Sequence, residues 1–162
     1  MGFFTADNET SPPSGDLAPL TIDRITQSLE RLEWDFHVDD ASNGVIAGWE
    51  YGSFAFFTSG KSDEILCVRG FWRGVLNEAD HAKALEICND WNVNAIWPKV
   101  CVLSDEQDTL RLNTEHNVDY EHGLSNAQLD QHLICAVSAS LMYFEKIIET
   151  FPEAWAQVAL AD

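Results

Sequence analysis

Residues 110–120 read Leu-Arg-Leu-Asn-Thr-Glu-His-Asn-Val-Asp-Tyr. The even-numbered positions hold the apolar side chains together with two polar ones: Leu110, Leu112, Thr114, His116, Val118 and Tyr120. The odd-numbered positions hold charged and amide side chains. Successive side chains of a strand point to opposite faces of a sheet, so the pattern predicts one strand face on a core and one in water. That arrangement is typical of an antiparallel sheet.

The segment after this strand predicts a long helix. Ser125 and Gln128 have the spacing of a capping box. Two adjoining apolar stripes follow at helical spacing: Leu129, Leu133, Ala136, Ser140, Phe144, Ile147 and Phe151 in one, and Ile134, Val137, Leu141 and Ile148 in the other. One sheet cannot cover both stripes, so we expect the first helix or another subunit to cover the rest.

The upstream sequence supplies the other elements. A first helix is predicted after Pro19, with Thr21 as its N-cap. Alternating or apolar runs near residues 34–38, 45–49, 54–57 and 65–72 predict a meander of three or four strands. A second helix opens at Asn77, and the chain is extended again after Pro98. The predicted class is α+β, an antiparallel sheet of five to six strands with three helices in the order α-βββ(β)-α-ββ-α.

The length of 162 residues and an apolar content of 46% indicate one domain with a substantial core. We place this domain at residues 20–151. Residues 1–19 are polar and rich in Pro and Gly near their end, which predicts a disordered N-terminal tail. Residues 152–162 are predicted to be a C-terminal tail.

The charge of the chain restricts its partners. It has 27 Asp and Glu against 9 Lys and Arg, for a formal net charge of −18. Binding to nucleic acid or anionic lipid normally needs Lys and Arg to replace counterions, so we expect neither partner. No stretch is long and apolar enough to span a bilayer, and the N-terminus lacks the pattern of a secretory signal. We therefore expect a cytoplasmic protein.

The sequence shows no catalytic or cofactor motif. It contains no G-x-S-x-G, no glycine-rich phosphate loop and no HExxH, and its four cysteines stand apart as buried reduced thiols would. His116 falls on the apolar face of its strand, which predicts a core histidine with satisfied ring nitrogens. We therefore expect no catalytic activity, no cofactor and no metal.

Two segments resemble the signature of the YbjN family. Residues 84–92 read Ala-Leu-Glu-Ile-Cys-Asn-Asp-Trp-Asn, and Ile-Trp-Pro-Lys follows at residues 96–99. Residues 123–129 are similar to the opening of the family's last helix, and the resemblance covers roughly residues 20–150. The family is labelled as sensory transduction regulators and is similar in fold to type III secretion chaperones. The resemblance implies this fold, a protein partner, a homodimer and no catalysis.

Six residues are candidates for contact with a partner: Arg69, Trp72, Arg73, Asn89, Asn92 and Trp97. Asn89 and Asn92 share one side of the second helix, where they either bind a ligand or satisfy backbone groups at the helix end. Trp72 lies between two arginines at a strand end and forms either a binding edge or core packing. The functional hypothesis is a protein-binding adaptor or chaperone-like regulatory domain. The alternative is a small-ligand-sensing domain with an aromatic-lined pocket.

Overall fold

The computed structural model describes residues 17–39, 43–104 and 109–160. Most of the predicted N-terminal tail, residues 1–16, lies outside this range. The described end of that tail is attached to the domain, because the backbone groups of Ala18 and Leu124 exchange hydrogen bonds of 3.3 and 3.0 Å. Leu20 follows with only 5% of its surface exposed.

In these parts of the chain four α-helices and six strands are present. They are α1 (Ile22–Arg31), β1 (His37–Asp39), β2 (Gly44–Gly48), β3 (Gly52–Ser59), β4 (Ile65–Trp72), α2 (His81–Asn94), β5 (Lys99–Ser104), β6 (Leu110–Asp119), α3 (Asn126–Thr150) and α4 (Pro152–Ala159). A short 3₁₀ turn at Glu78–Asp80 precedes α2.

The strands form one antiparallel sheet in the order β1-β2-β3-β4-β6-β5. The predicted α+β class and the upper strand count are confirmed. The helix count is corrected from three to four, because α4 forms within the predicted C-terminal tail. Pro152 cannot continue the hydrogen bonding of α3 but suits the first turn of a new helix. Trp155 of α4 then packs against Trp72 and Tyr51.

The helices lie on one face of the sheet, which we call the inner face. Its strand side chains Phe54, Phe56, Leu66 and Leu112 are fully buried. The start of α3 has the predicted capping box: Gln128 N donates to Ser125 Oγ at 3.2 Å, and Ser125 N donates to Gln128 Oε1 at 2.8 Å.

The first helix packs against α3 near the start of that helix. Arg31 Nη2 donates to Asp130 Oδ1 at 2.6 Å, and the Ser28 hydroxyl donates to the same carboxylate. Burial alone would raise the pKa of Asp130, but the hydrogen bonds from Arg31 and Ser28 and the charge of Arg31 together lower it. Ile134 and Met142 stay 38% and 63% exposed on α3.

Candidate protein-binding surface

An exposed apolar surface lies where α2 passes into β5. It consists of Val93, Ile96 and Trp97, which are 82%, 87% and 47% exposed, and we call it the Trp97 corner. Helix α2 ends here because the backbone of Ala95 turns to an extended conformation. Large apolar side chains at this exposure are unusual when they are adjacent, and such patches mark interaction surfaces in soluble proteins.

The backbone of the Trp97 corner is held by side chains of α2. Val100 N donates to Asn92 Oδ1, and Asn92 Nδ2 donates to Val100 O, both at 2.9 Å. Trp91 Nε1 donates to Pro98 O at 3.2 Å. The amide of Asn92 is therefore engaged with the edge strand β5, whereas Asn89 lies exposed on the same helix. The structure thus gives Asn92 a structural contact and leaves Asn89 accessible.

A cluster of aromatic and histidine side chains lies beneath Trp97. The ring centroid of His116, on the inner face of β6, is 4.9 Å from that of Trp97 and 6.0 Å from that of His132 on α3. The Tyr120 hydroxyl contacts His132 Nδ1. His116 is only 2% exposed, and neither of its ring nitrogens has a hydrogen-bond partner among the described residues. The expectation of a satisfied core histidine is corrected: His116 is in the core but unsatisfied.

The protonation of His116 is governed by burial. Against Trp97 an imidazolium gains about 0.5–2 kcal/mol from its attraction to the ring, whereas an unpaired buried charge costs several kcal/mol. Burial therefore lowers the pKa of His116, and the neighbouring His132 lowers it further. Burial also lowers the pKa of His132. Both rings are held as neutral imidazoles near pH 7.

The outer face of the sheet carries no helix among the described elements. A row of register partners crosses four of its strands: Ala55, Arg69, Glu115 and Lys99. Arg69 Nη2 and Lys99 Nζ each donate to the carboxylate of Glu115 at 2.8 Å. The hydrogen bond from Lys99 is the main reason that the pKa of Glu115 is lowered, and the charges of both cations add to it.

A shallow groove of about 310 Å³ lies on this outer face. Its lining includes Ala55, Phe57, Arg69 and Phe71. The guanidinium carbon of Arg69 is 5.7 Å from the ring centroid of Phe57, and the Arg69 side chain is 41% exposed. A guanidinium has five N–H donors in a planar fork, so Arg69 has donors left for an anionic group in the groove.

Trp72 and Arg73 occupy different environments. Trp72 is 2% exposed in the core, with its ring stacked 6.4 Å from that of Trp155. Arg73 is exposed at the strand end, where its Nη1 donates to Glu50 O at 3.3 Å. The structure therefore does not bring Arg69, Trp72 and Arg73 together into one binding edge: Arg69 belongs to the outer face and Trp72 to the inner one.

A larger cavity of about 560 Å³ lies between the start of α2 and the α3–α4 junction. Its lining includes Asn77, Asp80, Lys83 and Phe151. Lys83 Nζ donates to Thr150 O at 3.0 Å and lies 4.9 Å from the ring centroid of Phe151. The other lining residues are polar or aliphatic, and a single aromatic ring does not form the aromatic-lined pocket that the ligand-sensing alternative requires.

The cysteines and acidic side chains form no reactive or metal-binding cluster among the described residues. Cys67, Cys88, Cys101 and Cys135 are all free thiols, and burial raises the pKa of the first three. Within residues 17–39, 43–104 and 109–160, no cluster of three or more His, Cys, Asp or Glu side chains is placed to hold a metal ion. Over the same part of the chain, no helix has the length and apolarity needed to cross a membrane.

Comparison with solved structures identifies the class of fold. A chain of the HopA1–SchA chaperone–effector complex superposes with a TM-score of 0.50 at 15% identity, covering 79% of this chain and 97% of that one. YbjN of E. coli superposes with a TM-score of 0.70 at 13% identity, covering 83% and 96%. The chain therefore has a fold of the chaperone-like α+β class, as the sequence predicts.

The family follows from the sequence profile. The YbjN profile, described as "Putative bacterial sensory transduction regulator", matches residues 21–149. This range is most of the chain, so the protein belongs to the YbjN family. No curated relative matches the sequence.

Sequence reasoning named Trp97 but missed the cluster beneath it. His116 and Tyr120 share the inner parity of β6, and this alternation was the only signal in the sequence that they lie on one side. His132 joins them through the packing of α3 on the sheet, a contact between residues 12 to 16 positions apart that no local pattern encodes.

Proposed function

We propose that this protein is a non-enzymatic adaptor or chaperone-like regulatory domain that acts in the cytoplasm as a homodimer. Its Trp97 corner binds a segment of a protein partner. The observation that carries the proposal is the exposure of three large apolar side chains in the last turn of α2 and in the connection to β5, which Trp91 and Asn92 hold in place. A preformed apolar surface loses little conformational entropy on binding, and tryptophan is enriched among residues that dominate binding energy.

The fold supports the same proposal by analogy. A chaperone–effector complex shares the architecture, and the YbjN family is described as regulatory. The net charge of −18 argues against nucleic acid as the direct partner. The partner segment is expected to be apolar and basic, because it must match an apolar corner on an acidic protein.

Site-specific photo-crosslinking in the native host tests this proposal. A photoreactive phenylalanine analogue replaces Ile96 in one strain and Leu160 in the control strain, because the two side chains are 87% and 88% exposed. We expect a discrete crosslinked polypeptide from position 96 that is absent from position 160. An Ile96→Asp change should reduce co-purification of that polypeptide at least tenfold, whereas Leu160→Asp should not. Equal crosslinking from both positions would argue against the Trp97 corner.

The homodimer has a separate candidate surface on α3. Ile134 and Met142 remain exposed there after α1 has packed against the helix. Sedimentation velocity at micromolar concentrations is expected to show a dimer, and Met142→Glu is expected to shift it toward the monomer. A strict monomer for the unmodified protein would contradict the dimer without affecting the adaptor.

The alternative function is the sensing of a small ligand. The outer-face groove favours it, because Phe57 and Phe71 flank Arg69 in a concave space of about 310 Å³. This chemistry suits an aromatic or aliphatic carboxylate. Native mass spectrometry of protein isolated from its host separates the two functions. A bound polypeptide supports the adaptor, whereas a small-molecule mass increment that Arg69→Met removes supports the sensor.

A further inference from the structure

The Trp97 corner is built over a buried histidine side chain that has no hydrogen-bond partner among the described residues. His116 supports the Trp97 ring from below at a centroid distance of 4.9 Å, and it is 2% exposed. A neutral imidazole always carries one N–H, and here that donor has no acceptor among the described residues. An unpaired buried polar group of this kind requires an explanation in a native structure.

The groups that face His116 provide no counter-charge. Its register partner on β4 is Val68, the α2–β5 connection contributes Trp97, α3 contributes His132, and Tyr120 follows the end of β6. His132 is the titratable group whose charge acts on His116, and its effect is unfavourable to protonation. The adjacent carboxylate of Glu115 points to the outer face, where it is bound to Arg69 and Lys99.

Hydration of His116 requires the least movement on the Trp97 side. Strand β4 lies on one side of His116, with Val68 buried opposite it. Strand β5 begins only at Lys99, so the α2–β5 connection lies on the other side, where Trp97 is half exposed and Ile96 is almost fully exposed. Lifting the Trp97 ring therefore opens a path for water without breaking the sheet.

We propose that protonation of His116 releases the Trp97 ring from its contact with His116 on β6, so that the Trp97 corner is an acid-sensitive binding surface. The inference rests on the proposed function for its biological meaning, since it describes how binding at that corner is regulated. The closed corner forms when His116 is neutral, and acid converts it to an open corner in which His116 is hydrated. A partner segment that binds the closed corner is therefore released by acid.

Hydrogen–deuterium exchange of the full chain tests the opening directly and needs no partner. Protection of residues 95–100 is compared at pH 7.5, 6.5, 5.5 and 5.0 after correction for intrinsic exchange rates, with peptides from α3 as the internal reference. If only the open form takes the proton, the opening equilibrium rises up to tenfold for each pH unit below 6.5. We expect a loss of protection of up to about 30-fold at pH 5.0 in residues 95–100, with α3 unchanged.

Two variants assign the effect to His116. His116→Leu should abolish the acid-dependent loss of protection, whereas His122→Leu should leave it as in the unmodified protein, because the His122 side chain is 88% exposed. A response that persists in His116→Leu, or that disappears in His132→Leu alone, overturns the proposal. So does constant protection of residues 95–100 between pH 7.5 and 5.0.

A second measurement covers the case in which His116→Leu fails to fold. The ring-proton resonance of His116 in the unmodified protein should titrate over the same pH range in which protection is lost, and titration in a different range overturns the proposal. The photo-crosslink from position 96 separates this inference from the proposed function. Loss of the crosslink at every pH, together with a normal exchange response, refutes partner binding and not the acid-driven opening.

Discussion

Two buried polar residues on the inner face of β6 differ in whether their polar atoms have hydrogen-bond partners. Thr114 is fully buried, and its hydroxyl donates to Ser140 Oγ of α3 at 2.7 Å. His116, two residues further along the same strand, is equally buried but has no partner for either ring nitrogen among the described residues. Their register partners on β4 also differ: Thr114 lies opposite Gly70, and His116 lies opposite Val68.

The difference separates a region built for rigidity from one built to open. A hydrogen bond between two buried polar groups fixes the distance between the sheet and the helix. A buried polar group without a partner instead gains hydrogen bonds to water when the structure opens, which lowers the free-energy cost of local opening. The Thr114 region sits under the middle of α3, and the His116 region sits under the exposed Trp97 corner. We expect perturbations at the first to affect global stability and those at the second to affect local opening and its pH dependence.

The strongest perturbation of the Thr114 region is Gly70→Ala. An added Cβ would collide with Thr114 Oγ1, and it would lie 2.8 Å from the buried Phe54 ring. We expect destabilisation by about 2–3 kcal/mol, since overpacking in a core costs this much. Chemical denaturation measures it.

The matched control for this substitution is Gly48→Ala. Nothing lies within 4 Å of the Cβ position at Gly48, which ends β2. The control should be neutral or slightly stabilising. If Gly70→Ala were equally mild, the close packing of Thr114 against β4 would be refuted.

The hydrogen bond itself is tested by Ser140→Ala. This change leaves the Thr114 hydroxyl buried without an acceptor, which we expect to cost about 1–3 kcal/mol of unfolding free energy. The double variant Thr114→Val/Ser140→Ala removes both polar groups and should be more stable than Ser140→Ala alone. Additive effects in this double-mutant cycle would show that the two hydroxyls are not coupled.

Local sequence patterns predicted much of the fold because the relevant interactions are local. The parity of residues 110–120 identified the inner face of β6, and the spacing of Ser125 and Gln128 identified the start of α3. By contrast, α4 was missed because no local pattern indicates that Trp155 packs against Trp72, 83 positions away in the chain. The coverage of α3 was left open between α1 and a second subunit, and the contact of Arg31 with Asp130 over 99 positions supplies part of the answer.

The candidate surface was less predictable than the fold. Trp97 was named from the family-like segment, but its exposure depends on how α2 ends. The state of His116 was predicted wrongly, because satisfaction of a buried polar group depends on which distant atoms reach it. All six candidate residues remain predictions as partner contacts: Arg69, Trp72, Arg73, Asn89, Asn92 and Trp97.

The His116 region is tested by the pH dependence of stability. Because the pKa of His116 is lowered in the folded state, the folded protein binds fewer protons than the unfolded chain below pH 6.5. The free energy of unfolding therefore carries no penalty from His116 above that pH. It falls as the pH decreases through it, by up to about 1.4 kcal/mol per pH unit. In His116→Leu the dependence of stability on pH should be weaker between pH 6.5 and 5.5. The slope near pH 7.5 should be little changed. An unchanged slope would mean that His116 accepts protons in the folded state at no cost.

The smallest effect on stability is expected on the outer face, where the polar contacts are partly exposed ion pairs and not buried hydrogen bonds. Lys99→Met removes one hydrogen bond to Glu115, and the Lys99 side chain is 67% exposed. We expect a loss of only about 0.5 kcal/mol, because solvent and salt screen such pairs.

The loss of stability in Lys99→Met should depend on pH and on salt concentration. The pKa of Glu115 is lowered by Lys99 in the fold, so the pair stabilises the protein above the ordinary glutamate pKa, and that contribution disappears as the pH falls through the lowered value. The difference between Lys99→Met and the unmodified protein should therefore shrink in acid and in 1 M salt. Lys61→Met, in the exposed β3–β4 turn, is the control for general loss of a cation. If the stability difference stays the same in acid and in high salt, Lys99 acts through packing of its aliphatic stem and not through its charge. The outer face would then be stabilised by packing, as the inner face is.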